Sequence, residues 1–135
     1  MARKSSGLDK KLLKAGRELL IKHGASGVSL REVARITGAN LGMFNYHFKN
    51  KANFIRIILE EIYDEFLQEF KLDNDGDDLV KLRSQLLSIA KFSRDNRVLI
   101  LSVLTDILKN DEVVIDFTKD HFSQHIKILG KTLKE

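Results

Sequence analysis

Between Gly24 and Lys51 the chain reads GASGVSLREVARITGANLGMFNYHFKNK, and few local structures satisfy that order of residues. Ser29 and Glu32 have capping-box spacing: the serine hydroxyl can accept from the Glu32 amide, and the glutamate can reach back to Ser29. Val33, Ala34 and Ile36 then give a short helix one buried face. Gly38 stands where that helix must stop, because glycine enters the left-handed region without steric cost. Asn40 suits the N-cap of a second helix over residues 41–47, with Phe44 and Phe48 as its buried side chains. Two short helices, a tight turn containing glycine and a small residue, Ala34, at their close approach are the parts of a helix-turn-helix. Such a unit places its second helix in a DNA major groove.

The rest of the chain is compatible with helices alone. Its 135 residues include no proline and only eight glycines, and Leu, Ile, Lys and Glu dominate, which favours an all-α protein. There is no cysteine, so disulfides and thiolate metal sites are excluded and a reducing cytoplasm is the simplest home. The amino terminus, MARKSSGLDKKLL, lacks the apolar core of a secretory signal. No apolar run is long enough to span a membrane, so no membrane partner is expected. Charge is divided unevenly along the chain. Residues 1–56 hold 12 Lys/Arg against 3 Asp/Glu, a balance of +9, and residues 57–135 hold 11 against 16, a balance of −5. The cationic part coincides with the helix-turn-helix, as phosphate binding requires.

Periodicity predicts a first helix from about residue 8 or 9 to 23, with Leu12, Leu13, Leu19 and Leu20 inward, Asp9 as its cap and Gly24 as its stop. A long helix is expected from residue 50 or 51 to about 71, lined by Phe54, Ile55, Ile58, Ile62, Phe66 and Phe70. It carries more apolar surface than a small first domain can cover, so it should also pack on the helices that follow. The loop from Asp73 to Asp78 is the clearest boundary, and its aspartates read as capping groups rather than a calcium loop. Three helices follow, near 78–94, 97–109 and 112–133. The middle one is apolar nearly all round and should be buried. The last shows a stripe of Ile115, Phe122, Ile126, Leu129 and Leu133, with Val114, Phe117 and Ile128 off it. This gives a helix-turn-helix domain over residues 1–52 and a further helical region over 53–135.

Ala34, Gly38, Gly42, His47, Phe48 and Lys51, in that order and spacing, resemble the amino-terminal domain of the tetracycline-repressor (TetR) family of bacterial transcriptional regulators. The resemblance covers roughly residues 9 to 60. The family's usual Tyr falls on Asn45 here, with Tyr46 beside it. The resemblance implies repression by a homodimer on a palindromic DNA operator, and release by a small-molecule effector bound among the later helices. Relatives usually carry further carboxy-terminal helices, so the chain reads as short or as a piece of a longer one.

Within this frame the residues divide by chemistry. Ser29, Leu30 and Arg31 at one helix start and Lys51 at another are expected to meet phosphates, through backbone amides and cationic side chains. Tyr46 and His47 can add hydrogen bonds to the DNA backbone, and Arg3 and Lys4 could form a cationic arm. Base readout falls to Asn40, Leu41, Gly42, Met43 and Asn45: asparagine pairs with adenine, apolar side chains meet thymine methyls, and glycine allows close approach. Core packing is the competing reading of Leu41 and Met43. Tyr63, Phe66, Phe92, Phe117 and Phe122 are candidates for an effector pocket, although aromatics at helical spacing also make ordinary core. His121 and His125 are four apart, but with no third ligand in sight no metal site is expected, and no cofactor. Neither a nucleophile grouping nor a phosphate loop points to an enzyme. The alternative to an effector-controlled regulator is an architectural or protein-partner-binding helix-turn-helix protein.

Overall fold

The computed structural model describes residues 7–70 and 76–134, leaving side chains 128, 129 and 132–134 undescribed. Among them run seven helices and no strand: α1 (Gly7–His23), α2 (Leu30–Thr37), α3 (Leu41–Phe48), α4 (Lys51–Glu69), α5 (Asp78–Asp95), α6 (Arg97–Leu108) and α7 (Glu112–Lys134). The expected arm residues Arg3 and Lys4 lie outside the described residues, as do residues 73–75 of the loop, and Asp77, at the N-cap of α5, makes no side-chain capping bond. Helices α1, α2 and α3 form the helix-turn-helix unit, and α4 leaves it to pack against α5 and α7. One apolar core runs through both parts, from Leu12, Leu20, Val33 and Phe44 through Phe54, Ile58 and Ile62 to Phe92, Leu99, Val114 and Phe117.

Local chemistry accounts for the helix ends. Ser29 accepts from the Glu32 amide at 3.3 Å, Asn40 from the Met43 amide at 2.8 Å and Asn50 from the Asn53 amide at 2.8 Å, so α2, α3 and α4 each begin on a side-chain cap. Gly24 and Gly38 take φ of 76° and 70° at the ends of α1 and α2. Three sequence expectations change here. The Glu32 carboxylate does not turn back to Ser29 but grips Arg35 through two hydrogen bonds of 2.6 and 2.9 Å. Asp9 lies inside the first turn of α1, which starts at Gly7, and pairs with His47. Ile36 stays largely exposed at the end of α2.

The later helices depart further from their sequence patterns. α6 is not buried: Val98, Leu101, Leu104 and Leu108 are exposed, Leu108 by 82%, because α1, α5 and α7 cover one side of it only. On α7 the inward face is Val114, Phe117 and His125, whereas Phe122 and Ile126 of the expected stripe are exposed. Histidine next to aromatic rings took the place that the pattern assigned to aliphatic residues.

Ion pairs tie the long helix to its neighbours. Arg17 of α1 holds Glu65 of α4 through two bonds of 2.6 and 2.7 Å, and Arg56 of α4 reaches Asp120 of α7 at 2.8 Å. The Arg17 guanidinium keeps the Glu65 carboxyl below its ordinary range.

Candidate nucleic-acid interface

The second helix of the motif owes its place to three rings. Phe44 and Phe48 are buried on one side of α3 and meet Phe54 of α4 edge-on, with centroids 4.9 and 4.8 Å away. Gly16 of α1 closes the cluster from behind, since a Cβ there would stand 2.5 Å from the Phe54 ring. With that face anchored, the opposite face of α3 must look outward. Leu41 is 44% exposed, Met43 42% and Tyr46 67%, and Gly42 and Asn45 are exposed as well. Leu41 and Met43 are therefore not core residues. An exposed leucine, methionine and tyrosine on one short helix is apolar surface for which the fold itself has no use.

Asn40 is held by its capping bond, which occupies its Oδ1 and leaves its amide hydrogens for an outside partner. His47, half-buried, pairs through Nδ1 with Asp9 Oδ1 at 2.7 Å, so its ring is oriented by the first helix. No local sequence signal marks Asp9 as an orienting group, because the pair spans the whole motif. The other missed residue is Lys49. It joins α3 to α4 at φ 68° and ψ −54°, with the Asn50 amide bonded to the Phe48 carbonyl at 2.8 Å. That is a tight three-residue turn in a conformation rare for any side chain but glycine.

One candidate phosphate group is tied to the turn before α2. Lys51, on the first turn of α4, reaches the Ser26 carbonyl at 3.3 Å and so stands beside the turn that leads into α2. Arg31 is exposed at the start of α2, next to the exposed Ser29 and the half-buried Leu30. An ammonium, a guanidinium and two helix amino-terminal ends make a region suited to anionic oxygens.

Away from this face, four of the five aromatic residues considered for an effector come together. Tyr63, Phe66 and Phe117 pack with Phe92, Phe70, His121 and His125, while Phe122 lies outward on α7. The Tyr63 hydroxyl and His125 Nε2 are 2.7 Å apart, and His121 stacks on the Phe117 ring with Nδ1 2.9 Å from the Phe117 carbonyl. Burial pushes the Tyr63 hydroxyl pKa up, helped by Asp64, and pushes His125 down, helped by His121. Both histidines are thus engaged with organic neighbours. Among the described residues no group of three or more His, Asp or Glu could hold a metal ion. A cleft of about 350 Å³ opens elsewhere, at the α5–α6 junction, between Ile21, Arg94, Asn96, Arg97 and Val98.

Residues 12–56 match the family model for bacterial regulatory proteins of the tetR family. No curated protein matches the sequence. Among solved structures, a protein described as a TetR-family transcriptional regulator from Rhodococcus sp. superposes with a TM-score of 0.67 at 18% identity, over 93% of this chain and 69% of that one. A transcriptional regulator from Rhodococcus sp. Rha1 gives 0.71 at 18% identity, over 93% and 68%. A HlyIIR mutant protein gives 0.67 at 19%, over 95% and 69%. Residues 12–56 thus carry the tetR-family domain of bacterial regulatory proteins, and the chain around them has the all-α fold of TetR-family transcriptional regulators.

Proposed function

We propose that the protein is a sequence-specific DNA-binding transcriptional regulator, not an enzyme. It represses as a cytoplasmic homodimer on a palindromic operator and is released by a small-molecule effector. In this reading residues 1–52 bind DNA, and residues 53–135 dimerise and receive the effector, with Tyr63, Phe66, Phe92, Phe117 and Phe122 contributing to its site. The observation that carries the reading is the outward face of α3, where Leu41, Gly42, Met43, Asn45 and Tyr46 are exposed on a helix anchored by Phe44 and Phe48. Asn45 and the amide of Asn40 would read base edges, and Leu41 and Met43 would meet thymine methyls. Ser29, Leu30, Arg31, Tyr46, His47 and Lys51 would hold the sugar–phosphate backbone on either side. No helix among the described residues is long and apolar enough to cross a membrane.

The test is selection of duplexes from a random pool, followed by titration of the selected and an unrelated duplex at several salt concentrations. A specific regulator prefers its selected duplex by about a thousandfold or more. Equal affinity for all duplexes with a steep salt dependence would replace this reading by that of an architectural protein. Binding to none would end it.

A further inference from the structure

A helix that stops on a left-handed glycine ordinarily closes itself, the next amides folding back onto carbonyls of its last turn. α1 makes one such bond, from the Gly24 amide to the Leu20 carbonyl at 2.9 Å, which is the single-bond form of this stop. The following amide, of the buried Ala25, leaves the helix and donates to Asp106 Oδ2 at 2.8 Å, 81 residues further along the chain. One turn earlier on α6, the Ser102 hydroxyl donates to the Leu20 carbonyl at 2.9 Å. Residues 102 and 106 share one face of α6, so this helix supplies both an acceptor and a donor to the end of α1.

Electrostatics argues against an arrangement that serves α1 alone. The carboxy-terminal end of a helix carries partial negative charge, and a buried carboxylate there is disfavoured. Asp106 is nevertheless only 2% exposed, on a helix whose Leu101, Leu104 and Leu108 are in water. Its approach is also sterically exacting: a Cβ on Gly24 would lie 2.5 Å from Asp106 Oδ1. The turn it holds leads directly into α2, and its Ser26 carbonyl receives Lys51. The backbone carbonyl of Asp106 meanwhile accepts from the Asp111 amide at 3.0 Å, at the junction with α7.

We propose that Asp106, assisted by Ser102, is a positioning residue for DNA recognition, through which the helical body holds the α1–α2 turn and thereby sets the placement of α2 and α3. This rests on the DNA-reading function of α3. A displacement of α6 along its axis breaks two hydrogen bonds at once and leaves the buried Ala25 amide without an acceptor, so the state of the body is imposed on the reading head through this latch. The acceptor, not the charge, is the working feature.

The experiment uses the full chain and four variants: Asp106→Ala, Asp106→Asn, Ser102→Ala and Gly24→Ala. Amide exchange at Ala25 is read without DNA, and affinity is read on the selected duplex. In the wild type and Asp106→Asn the Ala25 amide is protected and affinity agrees within about threefold. In Asp106→Ala and Gly24→Ala protection is lost and affinity falls about tenfold or more, as expected when a buried amide is left without its acceptor. Ser102→Ala gives a smaller loss with unchanged helical content, and carries the test if Asp106→Ala fails to fold. Full affinity in a folded Asp106→Ala with an unprotected Ala25, full affinity in Ser102→Ala, or an Asp106→Asn as weak as Asp106→Ala, overturns the proposal. An unprotected Ala25 in the wild type also overturns it, whereas a wild type that prefers no duplex removes the DNA-reading function itself.

Discussion

Gly16→Ala sets local propensity against tertiary packing with opposite signs. In an isolated helix the change is favourable by up to about 1 kcal/mol, because alanine loses less backbone entropy. In the folded chain the new methyl would lie 2.5 Å from Phe54 Cε1 and Cζ and 2.8 Å from Ile58 Cδ1. Ordinary carbon contacts need about 3.5–4.0 Å, so roughly 1 Å of overlap has to be relieved. The Ile58 methyl can rotate away. The Phe54 ring cannot, since it is wedged edge-on against Phe44 and Phe48. Relief comes from parting α1 and α4 or from pushing α3 outward, and overpacking of this kind costs about 1–3 kcal/mol. With the full propensity gain subtracted, the net expectation is a loss of up to about 2 kcal/mol and a fall in Tm of up to roughly 10 °C. Thermal and urea unfolding followed by far-UV circular dichroism measures it. Gly130→Ala on α7 is the control, because among the described residues no atom outside the local helix backbone stands within 4 Å of its Cβ position. It should gain stability, by up to about 1 kcal/mol. If Gly16→Ala stabilises as much as Gly130→Ala, the close packing of α1 on Phe54 is wrong, and with it the account of what holds α3.

Arg31→Ala and Lys51→Ala should each weaken binding to every duplex and flatten the salt dependence by about one unit of slope, measured by fluorescence anisotropy across a salt series. Asn45→Ala should weaken the selected duplex alone; equal loss on random DNA would remove Asn45 from base readout. Lys49→Gly should raise stability by about 1 kcal/mol, since it relieves a left-handed residue, while its lost charge lowers DNA affinity; an unchanged urea midpoint would contradict the strained turn. His125 has its pKa depressed by burial below the ordinary 6.5, so the unfolded chain takes up this proton at higher pH than the folded one. Stability is therefore full above about pH 6.5 and declines as pH falls from there through the folded pKa. The urea midpoint of the wild type should drop between pH 8 and pH 5.5 by more than that of His125→Gln, and equal drops would refute the assignment.

The helix-turn-helix was legible because its signals are local. Ser29, Asn40 and Asn50 lie within three residues of the amides they cap, and Gly24 and Gly38 act on their own backbone. The outward face of α3 followed from the spacing of Phe44 and Phe48. The body was misread where the choice of face depends on what lies opposite. α6 has the composition of a buried helix, yet neighbours cover one side of it, and the side chain it buries most deeply with Leu99 is an aspartate. On α7 the stripe through Phe122 and Ile126 has regular helical spacing, but Tyr63, Phe66 and Phe70 chose the face with His125.

By itself the sequence determined seven helices, their ends within a few residues and the cationic character of the amino-terminal part, since propensity, capping and net charge act over a few residues or along the chain. Tertiary structure alone decided that Asp9 orients His47, that Lys51 meets Ser26 and that Asp106 closes the end of α1. Each of those contacts joins residues far apart in the chain. Helix propensity carries no information about the partner of a hydrogen bond, and an isolated aspartate has the same pattern whether it faces water or a buried amide.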